Sequence, residues 1–130
     1  MNPIPSSEGE KVNWINYHTR VKDVYFRMIA DNKSASISIS LEHPDAGIQE
    51  LYYEQLLQLT DLLHAAVGEV WNWRPRMEDA NGRIVSRVSK ELDNVSVFNR
   101  EDWPTLISFF KPRIIALDAF WEDARFSFDW

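Results

Sequence analysis

The spacing of apolar residues predicts a β-hairpin in the first third of the chain. Along Ser34–Leu41 every second residue is apolar and the residues between are serines, and Val24–Ala30 also alternates. A period of two with one apolar face is typical of half-buried antiparallel strands. A two-residue turn at 32–33 would place Met28 opposite Ile37, so that the apolar faces of both strands coincide.

A second hairpin is predicted around Asn81-Gly82, because this dipeptide favours the tight turns that join antiparallel strands. Residues 70–79 and 83–92 alternate on either side of it. A two-residue turn would place Arg76 directly opposite Arg87 on the polar face, where like charges repel each other. The apolar face would contain Trp71, Trp73, Pro75, Met77, Ile84, Val88 and Leu92.

Two further features concern the edges of the predicted sheet. Residues 11–17 are expected to form a third strand before the first hairpin. Pro75 has no amide hydrogen to donate to a neighbouring strand. Its own strand is therefore expected at an edge of the sheet or with a bulge.

Two stretches have the three-and-four spacing of amphipathic helices. The first begins at Pro44 and Asp45, which suit the first turn of a helix, and ends near Gly68. The second follows capping residues at 99–102 and has Pro104 in its first turn. The apolar stripe of the first helix would contain Ile48, Leu51, Tyr52, Leu56, Leu59, Leu62, Leu63 and Ala66, with Gln55 as its polar member.

The element order βββαββα predicts an α+β fold. We expect a two-layer sandwich, in which an antiparallel sheet of about five strands carries two helices on one face. Residues 1–10 contain two prolines, two serines and one glycine, and are expected to form a flexible lead-in. Residues 11–130 are expected to form a single domain, since 130 residues support one hydrophobic core.

Composition excludes several classes of protein. The chain has no cysteine, which excludes disulfide frameworks and thiolate chemistry. No apolar run approaches the roughly 18 residues of a membrane-spanning helix, and the N-terminus lacks the apolar centre of a secretion signal. We therefore expect a cytoplasmic protein that does not associate with membranes.

Three phrases of the sequence resemble a known family. They are WINYHTRVKDVYFRM at 14–28, IQELYYEQLLQL at 48–59 and ISFFKPRIIALDAFWEDARFSF at 107–128. Together they are similar to the bacterial domain-of-unknown-function 4268 family over most of the chain from Lys11. The resemblance implies a small stand-alone protein, or a C-terminal domain behind a nuclease-like domain, and it assigns no catalytic residues. It also implies a further N-terminal helix, for which residues 1–10 offer no counterpart.

Charge is distributed unevenly along the chain, whose formal net charge is −6. Residues 42–69 contain six carboxylates and no lysine or arginine, whereas 74–90 contain five cationic side chains and two carboxylates. If both hairpins share one sheet, its polar face gathers serine hydroxyls and arginines, whose planar fork fits a carboxylate or a phosphate. The residues predicted to bind an anionic ligand or partner are Tyr25, Arg27, Arg74, Arg76 and Arg87.

The alternative interpretation is an ordinary solvated sheet face, whose arginines pair with neighbouring carboxylates such as Glu78 and Glu91. Duplex DNA is not an expected partner. The acidic first helix would repel its phosphates, and the sequence has no basic recognition helix.

A catalytic alternative is a small metal-dependent hydrolase or nuclease that uses Asp23, Asp31 and Lys33. Against it, Asn32-Lys33 is better explained as the turn of the first hairpin, which would point these groups into solvent. No metal site and no cofactor is predicted. Glu42, His43 and Asp45 are adjacent in sequence, and adjacent residues rarely converge on one ion.

The last helix carries more aromatic residues than one buried stripe requires. Large rings are usually core residues, but a helix that is apolar on two sides also suits burial against a second copy of the chain. We therefore expect a homodimer that associates through Phe109, Phe110, Phe120, Trp121 and Trp130. The leading hypothesis is a non-catalytic, self-associating interaction module that accompanies nucleic-acid-directed proteins.

Overall fold

A computed structural model describes residues 12–14, 19–79 and 81–128, so the expected lead-in at 1–10 lies outside the described residues. Four long antiparallel strands and three α-helices occupy these ranges, with one three-residue strand and two short 3₁₀ segments. In chain order the elements are β1 (Val12–Trp14), β2 (Val24–Ala30), β3 (Ser34–Leu41), α1 (Ala46–Leu57), α2 (Thr60–Val67), β4 (Asn72–Glu78), β5 (Ile84–Asp93) and α3 (Trp103–Ala124). The predicted α+β class is confirmed.

The strands form an open antiparallel sheet in the order β1-β2-β3-β5-β4. Strand β3 is central and pairs with β2 on one side and β5 on the other. The predicted register of the first hairpin is confirmed, because Met28 lies opposite Ile37. Its two-residue turn is closed by the Asp31 amide, which donates to the Ser34 carbonyl at 3.0 Å.

The turn of the second hairpin is longer than predicted. The Asp79 amide donates to the Arg83 carbonyl at 2.8 Å, so three residues separate this hydrogen-bonded pair. The Gly82 amide donates back to the Asp79 carbonyl at 3.0 Å, and Gly82 has a φ of 78°, which glycine adopts without strain. The predicted two-residue turn is therefore wrong, and the register moves by one residue.

A bulge in β4 moves the register again. The shift lies between Arg74 and Met77, around Pro75, as expected for a proline in an edge strand. Arg76 adopts a φ of 52° at this bulge. The predicted pairing of Arg76 with Arg87 is wrong: Arg74 lies opposite Arg87, and Met77 moves to the polar face.

All three helices contribute to one core on a single face of the sheet. Alternate residues of β2 and β3, including Phe26, Ile37 and Ile39, are fully buried there. Trp71 is also fully buried in this core, and Trp73 packs against it, as predicted. The opposite sheet face, which carries the serines of β3, is called the polar face below.

The single helix predicted at 43–68 is two helices, so the expected number of two helices is wrong. Helix α1 ends at Leu57 and α2 begins at Thr60. The Thr60 hydroxyl donates to the Leu57 carbonyl, which a continuous helix would offer to a backbone amide four residues later. The outer ends agree with the prediction, since the Asp45 side chain caps two amides and Gly68 ends α2.

The buried side of α1 differs from the predicted stripe. Leu51 is 52% exposed, whereas Gln49 is only 3% exposed. The Nε2 of Gln49 donates to the carbonyl oxygens of His43 and Ile84 at 3.0 and 2.9 Å. Its Oε1 accepts from the Ser86 hydroxyl at 2.8 Å. This amide therefore connects α1 to β5.

Replacement of Gln49 by leucine should lower the free energy of unfolding by about 1–3 kcal/mol, because it leaves buried carbonyl and hydroxyl groups without partners. Urea denaturation measures this change. The matched control is Gln58→Leu, at an exposed position, which should change the free energy by no more than about 0.5 kcal/mol. Equal losses in both variants would contradict the structural role of Gln49.

Candidate functional site

A groove runs over the polar face of the sheet, on the side away from the helices. Strand β3 contributes only serines to this face, whereas its neighbours contribute longer side chains such as Ile29 and Arg87. Short side chains between long ones leave a depression of about 170 Å³, which we call the serine groove. Its lining residues are Ile29, Asp31, Ser34, Ala35, Ser36, Ser38, Arg74, Met77, Arg87, Ser89 and Glu91.

Serine hydroxyls lie along the middle of the serine groove. Ser38 and Ser89 face each other across the β3–β5 pairing and are only 3% and 5% exposed. Ser36 follows on the same face of β3. None of these three hydroxyls has a hydrogen-bond partner within the described part of the chain. All three can therefore donate to and accept from a bound molecule.

Arg87 is a partly buried cation in the serine groove. Its Nε donates to the Ser40 hydroxyl at 3.0 Å, and no carboxylate of the described ranges lies within 4 Å of its guanidinium. Burial, which disfavours the charged form, lowers the pKa of Arg87, and the attraction of Glu42 offsets this only in part. The guanidinium is therefore partly buried with no carboxylate of the described residues in direct contact, although Glu42 and Asp79 attract it from a distance.

Arg74 lies directly opposite Arg87 on β4. Its side chain is about half exposed, and its Nη2 lies 3.7 Å from Oε1 of Glu91. Like charges in directly opposed positions repel each other. Arg74 therefore adds a second positive charge to the lining of the groove, partly offset by Glu91.

Beside the serine groove, the buried carboxylate of Glu42 pairs with two other arginines, one of which also pairs with Asp79. Arg27 donates to Glu42 through Nε at 2.5 Å and Nη2 at 2.7 Å. Arg83 Nη2 and the Ser40 hydroxyl donate to the same carboxylate at 3.0 and 2.7 Å. Burial raises the pKa of Glu42, but these hydrogen bonds and the two positive charges outweigh burial, so the pKa lies below its ordinary value.

Four of the five predicted anion-binding residues lie on the polar face. Arg74 and Arg87 line the serine groove. Arg27 lies beside it, but its guanidinium is already occupied by Glu42 and stacks 4.7 Å from the ring centroid of Tyr25. The solvated-face alternative describes Arg74, which is half exposed beside Glu91. Arg27 also pairs with a carboxylate, but with the buried Glu42 rather than on a solvated face.

Arg76 is not brought to the serine groove. Its Nη2 donates to Oε2 of Glu50 on α1 at 2.9 Å, and its amide donates to the Ser86 hydroxyl at 3.2 Å. The bulge at Pro75 is the physical reason, because it turns the residue that follows away from the polar face.

The described aromatic residues that were predicted to mediate association belong to the core. Four of them are buried within the chain itself: Phe109, Phe110, Phe120 and Trp121. The Nε1 of Trp121 donates to the Thr19 carbonyl at 2.7 Å. Trp130 lies outside the described residues. In the folded chain these four rings are therefore not exposed to a partner.

The residues of the hydrolase alternative do not meet. Asp23 precedes and Asp31 follows β2, whose seven residues span about 23 Å. Oδ1 of Asp31 accepts from the amides of Lys33 and Ser34 at 2.9 Å each, which stabilises the hairpin turn. Across the described ranges, no group of three histidine, aspartate or glutamate side chains is placed to hold a metal ion.

Two features of the site are missing from the predicted residues. The serines of the groove have a clear signal, namely unbroken serine at alternate positions of β3, but this pattern by itself predicts only the polar side of a strand. Glu42 has no comparable signal, because Arg27 and Arg83 are 15 and 41 residues away from it in sequence.

Glu42→Gln should lower the free energy of unfolding at pH 7 by about 3–5 kcal/mol, because it leaves Arg27 buried without its counter-charge. Since the pKa of Glu42 is lower in the folded chain, its stabilisation is fully present above the unfolded pKa of about 4.3 and is lost as the pH falls through the folded pKa. The difference between the two proteins should therefore shrink below pH 4.

Chemical denaturation at pH 7 and pH 3 measures this difference. Glu78→Gln, which removes the same charge from an exposed side chain, is the matched control and should change stability by no more than about 0.5 kcal/mol. A Glu42→Gln deficit of the same size at both pH values would contradict the assignment of Glu42.

Comparisons with known proteins bear on the family rather than on the groove. No helix in the described part of the chain is both long and apolar enough to cross a membrane. Neither curated proteins nor solved structures give a match. A family model described as Domain of unknown function (DUF4268) matches residues 2–125, which is nearly the whole chain. The chain therefore belongs to the DUF4268 family.

Proposed function

We propose that the chain is a non-catalytic binding module that holds an anionic group of a ligand or partner in the serine groove. The observation that supports this proposal is the Arg87 guanidinium, which lines the groove and has no carboxylate within 4 Å in the described ranges. A carboxylate or a phosphate would pair with its planar fork through charge-assisted hydrogen bonds. Arg74, directly opposite, would supply a second cation.

The size of the serine groove favours a single small group. Its volume of about 170 Å³ is below the roughly 300–1,000 Å³ of sites that enclose a drug-sized ligand. The groove would therefore hold either a small molecule or one projecting group of a larger partner. The unpartnered hydroxyls of Ser36, Ser38 and Ser89 would hydrogen-bond to the oxygens of that group.

The geometry gives no support to the hydrolase alternative, because Asp23 and Asp31 lie at opposite ends of β2. Duplex DNA is also not proposed as a partner. Its binding depends on many cations spread over one surface, whereas the two arginines of the serine groove share it with the carboxylates of Asp31 and Glu91.

Titration with inorganic phosphate at low ionic strength, followed by amide NMR, tests the proposal. Phosphate should shift the amides of β3 and β5 around Ser38 and Ser89. Arg87→Gln should weaken this binding by about 10- to 100-fold, because a hydrogen bond between charged groups contributes about 1.5–3 kcal/mol. Arg87→Lys keeps the charge but loses the planar fork, so its affinity for phosphate should lie between those of the wild type and Arg87→Gln.

Arg76→Gln is the matched control. It removes the same charge from the same hairpin, at a side chain that pairs with Glu50 outside the groove, and it should leave phosphate binding unchanged. Thermal unfolding of each variant verifies that it is folded. The proposal is wrong if phosphate shifts no amide of β3 or β5, or if both variants weaken binding equally.

The proposal includes self-association and an accessory role beside nucleic-acid-directed proteins in the bacterial cytoplasm. The accessory role and the bacterial source are supported by the family resemblance of the sequence phrases. Self-association is supported by exposed apolar side chains on one side of α3, since Trp103, Ile107 and Ile115 follow each other at multiples of four residues.

Sedimentation equilibrium tests self-association. The wild-type chain should have the mass of a dimer at micromolar concentration, and Ile107→Glu should shift it towards the monomer, because a charge in an apolar interface is costly. Val70→Glu, at another exposed apolar side chain, should leave the mass unchanged. A monomeric wild-type chain at high concentration would remove this part of the proposal.

A further inference from the structure

We infer that the serine groove binds a phosphorylated sugar, with the phosphate at Arg87 and the sugar hydroxyls at Ser36, Glu91 and Asp31. This inference deepens the proposed function and rests on it. The two ends of the groove differ in charge: Arg87 lies at one end, whereas the carboxylates of Glu91 and Asp31 lie towards the other, where Arg74 partly offsets Glu91.

Strand register fixes the separation of these two ends. Arg87 lies opposite Ser40 at one end, and Glu91 lies opposite Ser36 four residues further along β3. Four residues of a strand span about 13 Å. The pair Ser38 and Ser89 lies between the two ends. A bound molecule that reaches both ends therefore passes over these two nearly buried hydroxyls.

The carboxylates at the second end are acceptors with part of their capacity unused. Oε1 of Glu91 accepts from Asn72 Nδ2 at 2.7 Å and lies 3.7 Å from Arg74 Nη2, which offsets its charge. Oδ1 of Asp31 is occupied by the amides of its own turn. Oε2 of Glu91 and Oδ2 of Asp31 accept no hydrogen bond from any residue within the described ranges.

Phosphorylated sugars and phosphorylated amines both carry an anion with hydrogen-bond donors at a distance from it. The partial pairing of Glu91 and the role of Asp31 in its turn favour the first class. A buried ammonium needs an uncompensated negative charge, whereas a neutral hydroxyl needs only a free acceptor oxygen. Ser36, Ser38 and Ser89 can likewise both donate to and accept from hydroxyls.

The apolar part of the groove lining agrees with a sugar. Ile29 lies on β2 and Met77 on β4, so one apolar side chain lies towards each side of the serines. These side chains can contact the carbon atoms of a sugar while the polar groups bind its oxygens. The predicted ligand is therefore bound by hydrogen bonds along the groove and by apolar contacts at its walls.

Calorimetric titration with ribose 5-phosphate and with inorganic phosphate tests the inference. Ribose 5-phosphate should bind about tenfold more tightly than phosphate, whereas ribose alone should bind far more weakly than its phosphate ester. Glu91→Leu, which removes both acceptor oxygens at similar size, should reduce the tenfold preference to about threefold or less. Glu78→Leu is the matched control, because it makes the same change outside the groove, and it should keep the preference.

The outcomes separate this inference from the proposed function. If phosphate binding depends on Arg87 but ribose 5-phosphate binds no more tightly than phosphate, the inference is wrong and the anion-binding module stands. If neither compound binds, both are wrong. Tighter binding of O-phosphoethanolamine than of ribose 5-phosphate would also overturn the inference. Adenosine 5′-monophosphate shows which kind of sugar phosphate the groove binds. Tighter binding than that of ribose 5-phosphate would indicate a nucleotide, and weaker binding would indicate a free sugar phosphate. Both belong to the predicted class.

Discussion

Strand β3 hydrogen-bonds to β2 along one edge and to β5 along the other, and this double pairing constrains the rest of the structure. A strand held on both sides cannot rotate, so its alternating side chains are committed to opposite faces. Ile37 and Ile39 face the helices and are fully buried, while the serines between them face away. The same alternation of isoleucine and serine along β3 therefore produces the core on one face of the sheet and the serine groove on the other.

Electrostatics then determines which cation of the polar face is available to a ligand. Glu42 is a single buried carboxylate that accepts from both Arg27 and Arg83. Arg87 lies near this cluster but shares only the Ser40 hydroxyl with it. Arg87 is partly buried with no carboxylate from the described part of the chain in direct contact, so its guanidinium can pair with an added anion, whereas that of Arg27 is already paired.

The first hairpin and its register could be predicted because a two-residue turn and two alternating strands leave one consistent pairing. The second hairpin could not, because the Asn81-Gly82 signal does not specify whether the turn has two or three residues. The bulge at Pro75 was expected, but its effect on the register was not. These two irregularities move Arg76 out of the predicted site and place Arg74 opposite Arg87.

Residues whose roles depend on distant partners were beyond prediction from the sequence. Gln49 occupies a position of α1 that the apolar spacing assigns to solvent, yet it bonds to Ile84 and Ser86, 35 and 37 residues away. The buried rings of α3 were assigned to association because helical spacing cannot show how many elements cover a helix. In contrast, the serines of β3 were visible in the sequence, and only the longer side chains around them turn the serines into a groove.

The NMR signals of the arginine Nε–H groups distinguish a guanidinium that binds an added anion from one already paired with Glu42, because they report on each arginine separately. On addition of inorganic phosphate, the Nε–H signal of Arg87 should shift, whereas that of Arg27, which is already bound to Glu42, should stay unchanged. Equal shifts of both signals, or a shift of Arg27 alone, would contradict the assignment of Arg87 as the anion-binding residue.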